Sequence, residues 1–553
     1  MHPFPPISAG PYDPLPDVVM ERWKKNYESD DTEDDGYLSD ELAIFDGSTG
    51  MSRTFRQYYE STKGIAGNLK YELGVDEKAC VCLFAPNHVD YLPVTLAVGL
   101  CGAKLTPVNP LYKKQELQIV LDKSRSSVLI AHSAILDVAL EAAKDSKHVK
   151  HVIVMTEDGA EEPRDGLDSL DSIKSHKDGF DKTIRYMHTE ANLHPYLLPY
   201  SSGTTGMPKG VCLTHANLTA NLNQFDVVEG LSMGVGEGVL SPLPFFHIYG
   251  MVASLLACGW KGNPLLTMSH RFDFALMLEM IKEHQPTTAH LVPPILLALA
   301  KHPVVDQYDF SCLRTIISAA APLGKETELS VEQRLGCIVK QAWGMSELSP
   351  IGTLNSDFSK KTGSVGPLVS NTHGKILDEH GKTLGPNEPG ELCIKGPQVM
   401  MGYLDDPDKT RECLSSSGWL RTGDVAYYDE EGYFFITDRI KELIKVRGFQ
   451  VAPAELEELL LGHEMVSDVA VIQIPDEDAG ELPRAYIVLK PDCGKSHDEI
   501  EKHIYEWVKE QVAPYKRLDG GIVFIEEVPK SASGKILRRV LRDELEAQTK
   551  QSD

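Results

Sequence analysis

Residues 200–211 read YSSGTTGMPKGV, and their types and spacing suit one kind of chemistry, the cradling of a phosphate chain. Gly203 and Gly206 let the backbone come close to a ligand. Successive N–H groups, with the hydroxyls of Ser201, Ser202, Thr204 and Thr205, form an anion-binding concavity, and Lys209 adds a mobile cation. The common P-loop needs Gly-x4-Gly-Lys-Ser/Thr. Counted from Gly203, Pro208 stands where its second glycine belongs. Read alone, the stretch is therefore a phosphate loop of another kind or a solvated turn.

Four later stretches carry further candidates. Residues 341–350 read QAWGMSELSP, by pattern a strand-to-turn junction with a Ser-Glu pair. Residues 418–425 read GWLRTGDV, where Gly-Asp is a common turn. Residues 437–451 read TDRIKELIKVRGFQV, a basic turn ahead of a helix. Residues 528–539 read VPKSASGKILRR, in which Lys535 is by composition one more solvated lysine at a helix start.

The elements around these stretches are those of an alternating fold. Residues 54–71 read as a helix and 80–84 as a short strand closed by Pro86, followed by an apolar helix near 93–101. Then come a helix at 113–122 and strands at 128–131 and 151–155. Strands alternating with helices of this length predict a mostly parallel sheet with helices on both faces. The Gly203 loop would follow a sheet element, where ligands bind in such folds. A second α/β region spans 239–339 with a strand at 315–318. Around 363–443 short strands and turns predict a small β subdomain. After Lys441 comes a compact unit with helices at 453–461, 496–511 and 535–547 and strands near 469–474 and 485–489.

Composition sets the outer limits. A chain of 553 residues exceeds one compact core, so at least two domains are expected. The longest apolar runs, 249–260 and 291–300, fall short of the roughly 18 residues needed to span a bilayer. The first residues lack a basic-then-apolar secretory pattern, and the last four, KQSD, are no peroxisomal ending. With ten scattered cysteines, reduced thiols and a cytoplasmic location are expected. The net charge of −26 disfavours nucleic acid as a partner. Anionic nucleotides must then meet local basic patches, such as residues 439–447. The acidic run 28–35 reads as solvated and receives no role.

Taken in order, these motifs resemble the signatures of the adenylate-forming superfamily: acyl-CoA synthetases, beetle luciferases and peptide-synthetase adenylation domains. The likeness runs from about residue 51 to 545. It implies an α/β fold with a large N-terminal adenylation domain, 1–437, built of parallel-rich sheets flanked by helices plus a β subdomain. A small, mobile α+β domain, 438–553, would follow on a hinge. It also implies an AMP-forming acid–thiol ligase using ATP, Mg²⁺ and coenzyme A. By resemblance, Ser201, Ser202, Gly203, Thr204, Thr205, Gly206 and Lys209 would cradle the phosphates, with Ala320, Gln341 and Gly344 also at the nucleotide. Trp343 would stack on adenine, Ser346 would bind phosphate and Glu347 would hold Mg²⁺. Asp424 would accept the ribose hydroxyls, and Arg439 would contact ribose or phosphate. Lys535 would be the catalytic lysine at the α-phosphate and the attacking carboxylate. Lys445 and Gln450 would contact the adenylate. Lys441, as hinge, with Arg447 and Gly448, would serve CoA.

The PFFHIY stretch at 244–249, SAAAPLGK at 318–325 and LVPPILLALAKHP at 291–303 are most similar to plant-type 4-coumarate–CoA ligases. That likeness places His247 beside the adenylate carbonyl and Tyr249, Ala319, Gly344, Pro350 and Ile351 in the acyl pocket. The partners implied are a small carboxylic acid, ATP and CoA, without nucleic acid, membrane span or carrier-protein module. Ala319 stands where those ligases have glycine, and Ile351 where they usually have valine. A hydroxycinnamate is the expected acid, with a medium- or long-chain fatty acid as the alternative. A luciferase-like oxygenase is the more distant reading.

Overall fold

A run such as CVCLF at 80–84 is apolar on both faces, and such a strand is stable only inside a sheet covered on both sides. The structure is a computed structural model that describes residues 4–7, 13–24, 40–157, 166–174, 194–201, 209–229, 233–447, 449–491, 496–531 and 534–552. In it Cys80–Phe84 is buried at every position, parallel to Lys104–Val108 on one side and Val128–His132 on the other. These strands are the middle of a nine-stranded sheet that runs from Gly402–Tyr403 to Asp168–Ser169. The helix Phe55–Gly67 begins at Thr54, whose hydroxyl accepts the Gln57 N–H while the Gln57 side chain accepts the Thr54 N–H. That reciprocal cap satisfies two helix-end donors. The α-helix is shorter than expected, because residues Asn68–Glu72 widen into a π turn. Tyr91–Leu100 is buried along its whole length, as a helix apolar on all sides must be.

The second region forms an eight-stranded sheet. Its parallel strands, in order, are Leu42–Asp46, Leu265–Thr267, Val239–Leu240, Thr288–Leu291, Thr315–Ser318 and Ile338–Gly344. Antiparallel edges are added by Ser52–Thr54 and Ile351–Leu354. Asn87, buried in the turn after the first sheet's central strand, couples the two sheets. Its Nδ2 donates to Leu243 O at 2.9 Å and Thr267 Oγ1 at 3.0 Å, and its Oδ1 accepts the Phe245 N–H at 2.7 Å. That bond fixes the loop carrying His247. The four-stranded antiparallel sheet from His373–Leu377 to Phe434–Arg439 forms the β subdomain.

After this sheet a separate core gathers around Ile444, Val469, Ile487 and Ile504. It packs the helices Pro453–Leu461 and His497–Gln511 on a sheet dominated by the hairpin Val466–Asp476/Gly480–Leu489. The last helix starts at Arg538, three residues later than Lys535. The Ser531 N–H donates to Lys535 O at 2.8 Å, the Lys535 N–H donates to Ser531 Oγ at 3.2 Å, and Gly534 lies at φ 78°. These bonds hold Lys535 in a tight loop. The small domain docks on the large one through Glu458, whose Oε1 accepts the Lys325 N–H at 3.0 Å at the first residue of helix Lys325–Leu335. Lys301 Nζ also donates to Leu461 O at 3.3 Å.

Candidate active site

Where the two domains meet, a cleft of about 1290 Å³ opens, and its lining draws on the three sheets of the large domain and on the Lys535 loop. Behind the lining residues Trp343, Gly423 and Arg439 at one end stands Asp424, on strand Leu420–Tyr428 and almost fully buried. Its Oδ2 accepts the Trp343 indole N–H at 2.8 Å, and its Oδ1 lies 3.2 Å from Arg439 Nε. Oδ1 has no hydrogen bond among the described residues. A buried carboxylate whose Oδ1 meets a charge but no hydrogen-bond donor fits a ligand bearing hydroxyl donors. Trp343 lines the cleft with its six-membered ring against Gly352.

Beyond it, Glu347 is buried on the short turn Ser346–Leu348, and its Oε1 accepts the Tyr403 hydroxyl at 2.8 Å. Lys209 Nζ lies 4.9 Å above the ring of Tyr403. Tyr403 thus joins the lysine of the phosphate motif to the carboxylate of the second motif, a link that its GYLDDP context does not signal. Glu347 Oε2 has no hydrogen bond among the described residues, and these contain no cluster of three metal-ligating side chains. One carboxylate suits Mg²⁺, which keeps several waters and takes most other ligands from substrate phosphates. The residues present therefore fit that ion. Ser201 ends the strand Tyr200–Ser201, which pairs with Lys209–Thr214. Ser202, Gly203, Thr204, Thr205 and Gly206 lie outside the described residues.

Lys535 reaches this cleft from the small domain and is half-buried. Desolvation, with the Arg439 charge beside it, lowers its pKa from 10.5 to about 8, while Asp424 and Glu347 pull the other way. The four charged groups share one small space. His247 is neutral, its pKa brought to about 3 by burial and by Lys535. Its Nδ1 accepts the Tyr249 N–H at 3.3 Å, so the ring proton sits on Nε2.

Tyr249, Ala319, Gly344, Pro350 and Ile351 line the cleft as one apolar wall with Ala253, Ile317 and Phe225. Ile351 is clamped through its backbone by Asn221, which donates to its O at 2.9 Å and accepts from its N at 3.1 Å. A Cβ on Gly344 would lie 2.0 Å from the carbonyl oxygen of Pro350, so only glycine fits there. Ala320, also on the wall, has φ 76°, a left-handed backbone that costs about 1–2 kcal/mol for a non-glycine residue. Tyr249 donates its hydroxyl to Ile317 O at 3.0 Å.

Other expected residues stand elsewhere. Ser346 and Lys441 line the cleft, but Gln341 is buried away from the lining, its Nε2 on Leu323 O and Glu328. Lys445 and Gln450 face each other across the hairpin Ile444–Val446/Phe449–Val451, exposed and off the lining. Arg447 turns that hairpin at φ 49°, and Gly448 lies outside the described residues. The sequence reading missed Tyr403, His290 and the buried cation Lys340, which pairs with Glu229 at 2.6 Å and Asp357 at 2.5 Å behind the apolar wall.

Fold and cleft together are those of an adenylate-forming enzyme. The chain belongs to the AMP-binding enzyme family, which it matches over residues 34–404, with the AMP-binding enzyme C-terminal domain at 455–535. Its relatives include 4-coumarate-CoA ligase 2 of Narcissus pseudonarcissus, 38% identical over 568 residues that cover 98% of this chain and 97% of the relative. A 4-coumarate–CoA ligase of Arabidopsis thaliana is 37% identical over 92% of this chain and 89% of its own length. A crystal structure of the anthranilate CoA ligase AuaEII with anthranoyl-AMP aligns with a TM-score of 0.86 at 26% identity, covering 98% of both chains. The expected superfamily and fold are thereby borne out. Among the described residues no helix is long and apolar enough to cross a membrane.

Proposed function

We propose that the acid handled by this cleft is a hydroxycinnamate or a similar aryl-propenoic acid. The protein is an ATP-dependent, AMP-forming acid–CoA ligase. The observation that carries the reading is the apolar wall that Tyr249, Ala319, Pro350 and Ile351 form in the same cleft as His247 and Lys535.

In the first half-reaction the carboxylate oxygen of the acid attacks the α-phosphorus of ATP, and pyrophosphate leaves. Two anions must approach each other, so the main task is electrostatic. Lys535 supplies the cation at the point of attack. Asp424 accepts the ribose hydroxyls, and Trp343 borders the base. Lys209 and the 201–206 loop take the phosphates. Glu347 would hold Mg²⁺, which would offset phosphate charge there. His247 keeps its proton on Nε2 for an oxygen of the acyl carboxylate. In the second half-reaction the CoA thiolate attacks the acyl carbonyl and AMP leaves. Lys445, Arg447, Gly448 and Gln450 stand on the outer hairpin of the small domain. A rotation about 438–441, with Lys441 as hinge, would bring that hairpin to the cleft and withdraw Lys535. No protein nucleophile is required.

The test is CoA-dependent AMP release with 4-coumarate, caffeate, octanoate, palmitate and phenylalanine. Turnover strongest on the cinnamates supports the reading. Preference for octanoate or palmitate overturns the choice of acid, and pyrophosphate release without CoA consumption overturns the second half-reaction.

A further inference from the structure

Behind the cleft, three carboxamide side chains on one helix bond to the segments that carry its site residues. Helix His215–Glu229 directly follows strand Lys209–Thr214 of the phosphate motif. Asn217, Asn221 and Gln224 stand four and three residues apart, so they share one face of that helix. None of them lines the cleft, and Asn221 and Gln224 are fully buried.

Each amide holds a different segment. Asn217 Oδ1 accepts the Thr214 N–H at 3.0 Å, and the Asn217 N–H donates to Thr214 Oγ1 at 3.1 Å, which ties the helix start to the phosphate strand. Asn217 Nδ2 donates to Pro397 O at 2.8 Å and to Val399 O at 2.9 Å. The next residue, Met400, gives its N–H to Glu347 O at 2.9 Å, and a little further on Tyr403 meets both Glu347 and Lys209. Asn221 bonds the N–H and the carbonyl of Ile351, and its Nδ2 also donates to Gln224 Oε1 at 2.9 Å. Turned over, that amide would set Nδ2 against the Ile351 N–H, so its partners fix one orientation. Gln224 Nε2 donates to Ser370 O at 2.7 Å. Ser370 Oγ donates to Pro5 O at 2.6 Å and Asn371 Nδ2 to Ile7 O at 2.9 Å, so residues 4–7 brace the row from outside.

We propose that this amide row positions the two sides of the adenylation site separately, Asn217 through the segment that serves the nucleotide and Asn221 through the wall that receives the acid. Both are positioning residues that act through the backbone of others, because a buried N–H or carbonyl keeps its segment where the bond is met. The inference rests on the acid–CoA ligase reading and adds to it the element that fixes both substrates to one helix.

The experiment measures KM for 4-coumarate in ATP–pyrophosphate exchange, and the Kd of ATP with Mg²⁺ by calorimetry without acid. In Asn221→Ala, KM for 4-coumarate should rise on the order of 10-fold, since small misplacements of a binding wall are costly, while the ATP Kd stays within about twofold. In Asn217→Ala the pattern should reverse, with the ATP Kd weakened on the order of 10-fold and KM for 4-coumarate within about twofold. Should either variant fail to fold by thermal melting, Asn221→Ser and Asn217→Ser, which keep one hydroxyl, are expected to show the same separation at smaller size. Equal changes of both constants in each variant, as a general loosening of the fold gives, overturn the proposal, and so does no change in either. If octanoate but not 4-coumarate supports exchange, the aryl reading falls and KM for octanoate decides the role of Asn221. If neither acid supports exchange, the ligase reading falls, and an ATP Kd unchanged in Asn217→Ala overturns the role of the amide row as well.

Discussion

Replacing Lys535 by alanine should separate the two half-reactions. In the free cleft the pKa of Lys535 is lowered from 10.5 to about 8 by desolvation and Arg439. At 1.36 kcal/mol for each tenfold change in proton affinity, keeping this cation charged costs about 3 kcal/mol in the absence of substrate. That cost is repaid where negative charge arrives, at the α-phosphate and the incoming carboxylate, so the cation is poised for the adenylation transition state. Removing one such preorganised partner from a water-poor site typically lowers the rate by roughly 10²–10³. Lys535→Ala should therefore lose about that factor in acid-dependent ATP–pyrophosphate exchange. Acyl-CoA formation from chemically prepared acyl-AMP should lose less than about tenfold, since no phosphoryl transfer remains to be assisted. Rapid-quench assays of each half-reaction on the same preparation give both numbers. Equal losses in both, or a loss below about tenfold in exchange, would refute the electrostatic role assigned to Lys535.

Because the protonated lysine is the active form, kcat/KM for ATP in the exchange assay should fall as pH rises through about 8. Lys535→Arg should move that limb upward, and an unmoved limb would assign the titration to another group. Lys340→Met removes the cation between buried Glu229 and Asp357. With the cation between those buried carboxylates gone, stability should drop by about 3–5 kcal/mol in denaturant melts near neutral pH. Part of that loss should return as pH falls and Glu229, whose pKa burial already raises, takes up a proton. Glu458→Ala deletes the small domain's hydrogen bond to the first residue of helix Lys325–Leu335. A bond of this kind contributes about 0.5–1.5 kcal/mol, so adenylation should slow relative to thioester formation by roughly 2- to 10-fold. An unchanged ratio of the two rates would show that this contact does not hold the Lys535-in arrangement.

The motifs were legible without a structure because each packs its chemistry into about a dozen neighbouring residues. Glycines, hydroxyls and lysines at close spacing state what ligand they suit before any folding is known. The core strands were legible for a related reason. Cys80–Phe84, His151–Met155 and Thr315–Ser318 are short apolar runs that have nowhere stable to lie except inside a sheet. Boundaries fared less well where side chains intervened. Ser531 holds Lys535 out of the last helix, and no helix propensity at 535–537 records that bond.

Tertiary structure alone decided the rest. Trp343 and Asp424 are 81 residues apart, and their hydrogen bond exists only because the β subdomain folds over the second sheet's edge. Lys535 reads as a solvated lysine in its own sequence, and its lowered pKa comes from the burial and then the Arg439 charge that docking brings. Ser254 reaches His290 Nδ1 from 36 residues away, and Ser241 reaches Ser254 in turn. Residue types and their local spacing determined which groups this protein brings to a nucleotide and an acid. Packing between distant segments decided their protonation and their partners, because burial and hydrogen bonding depend on neighbours that sequence order does not reveal.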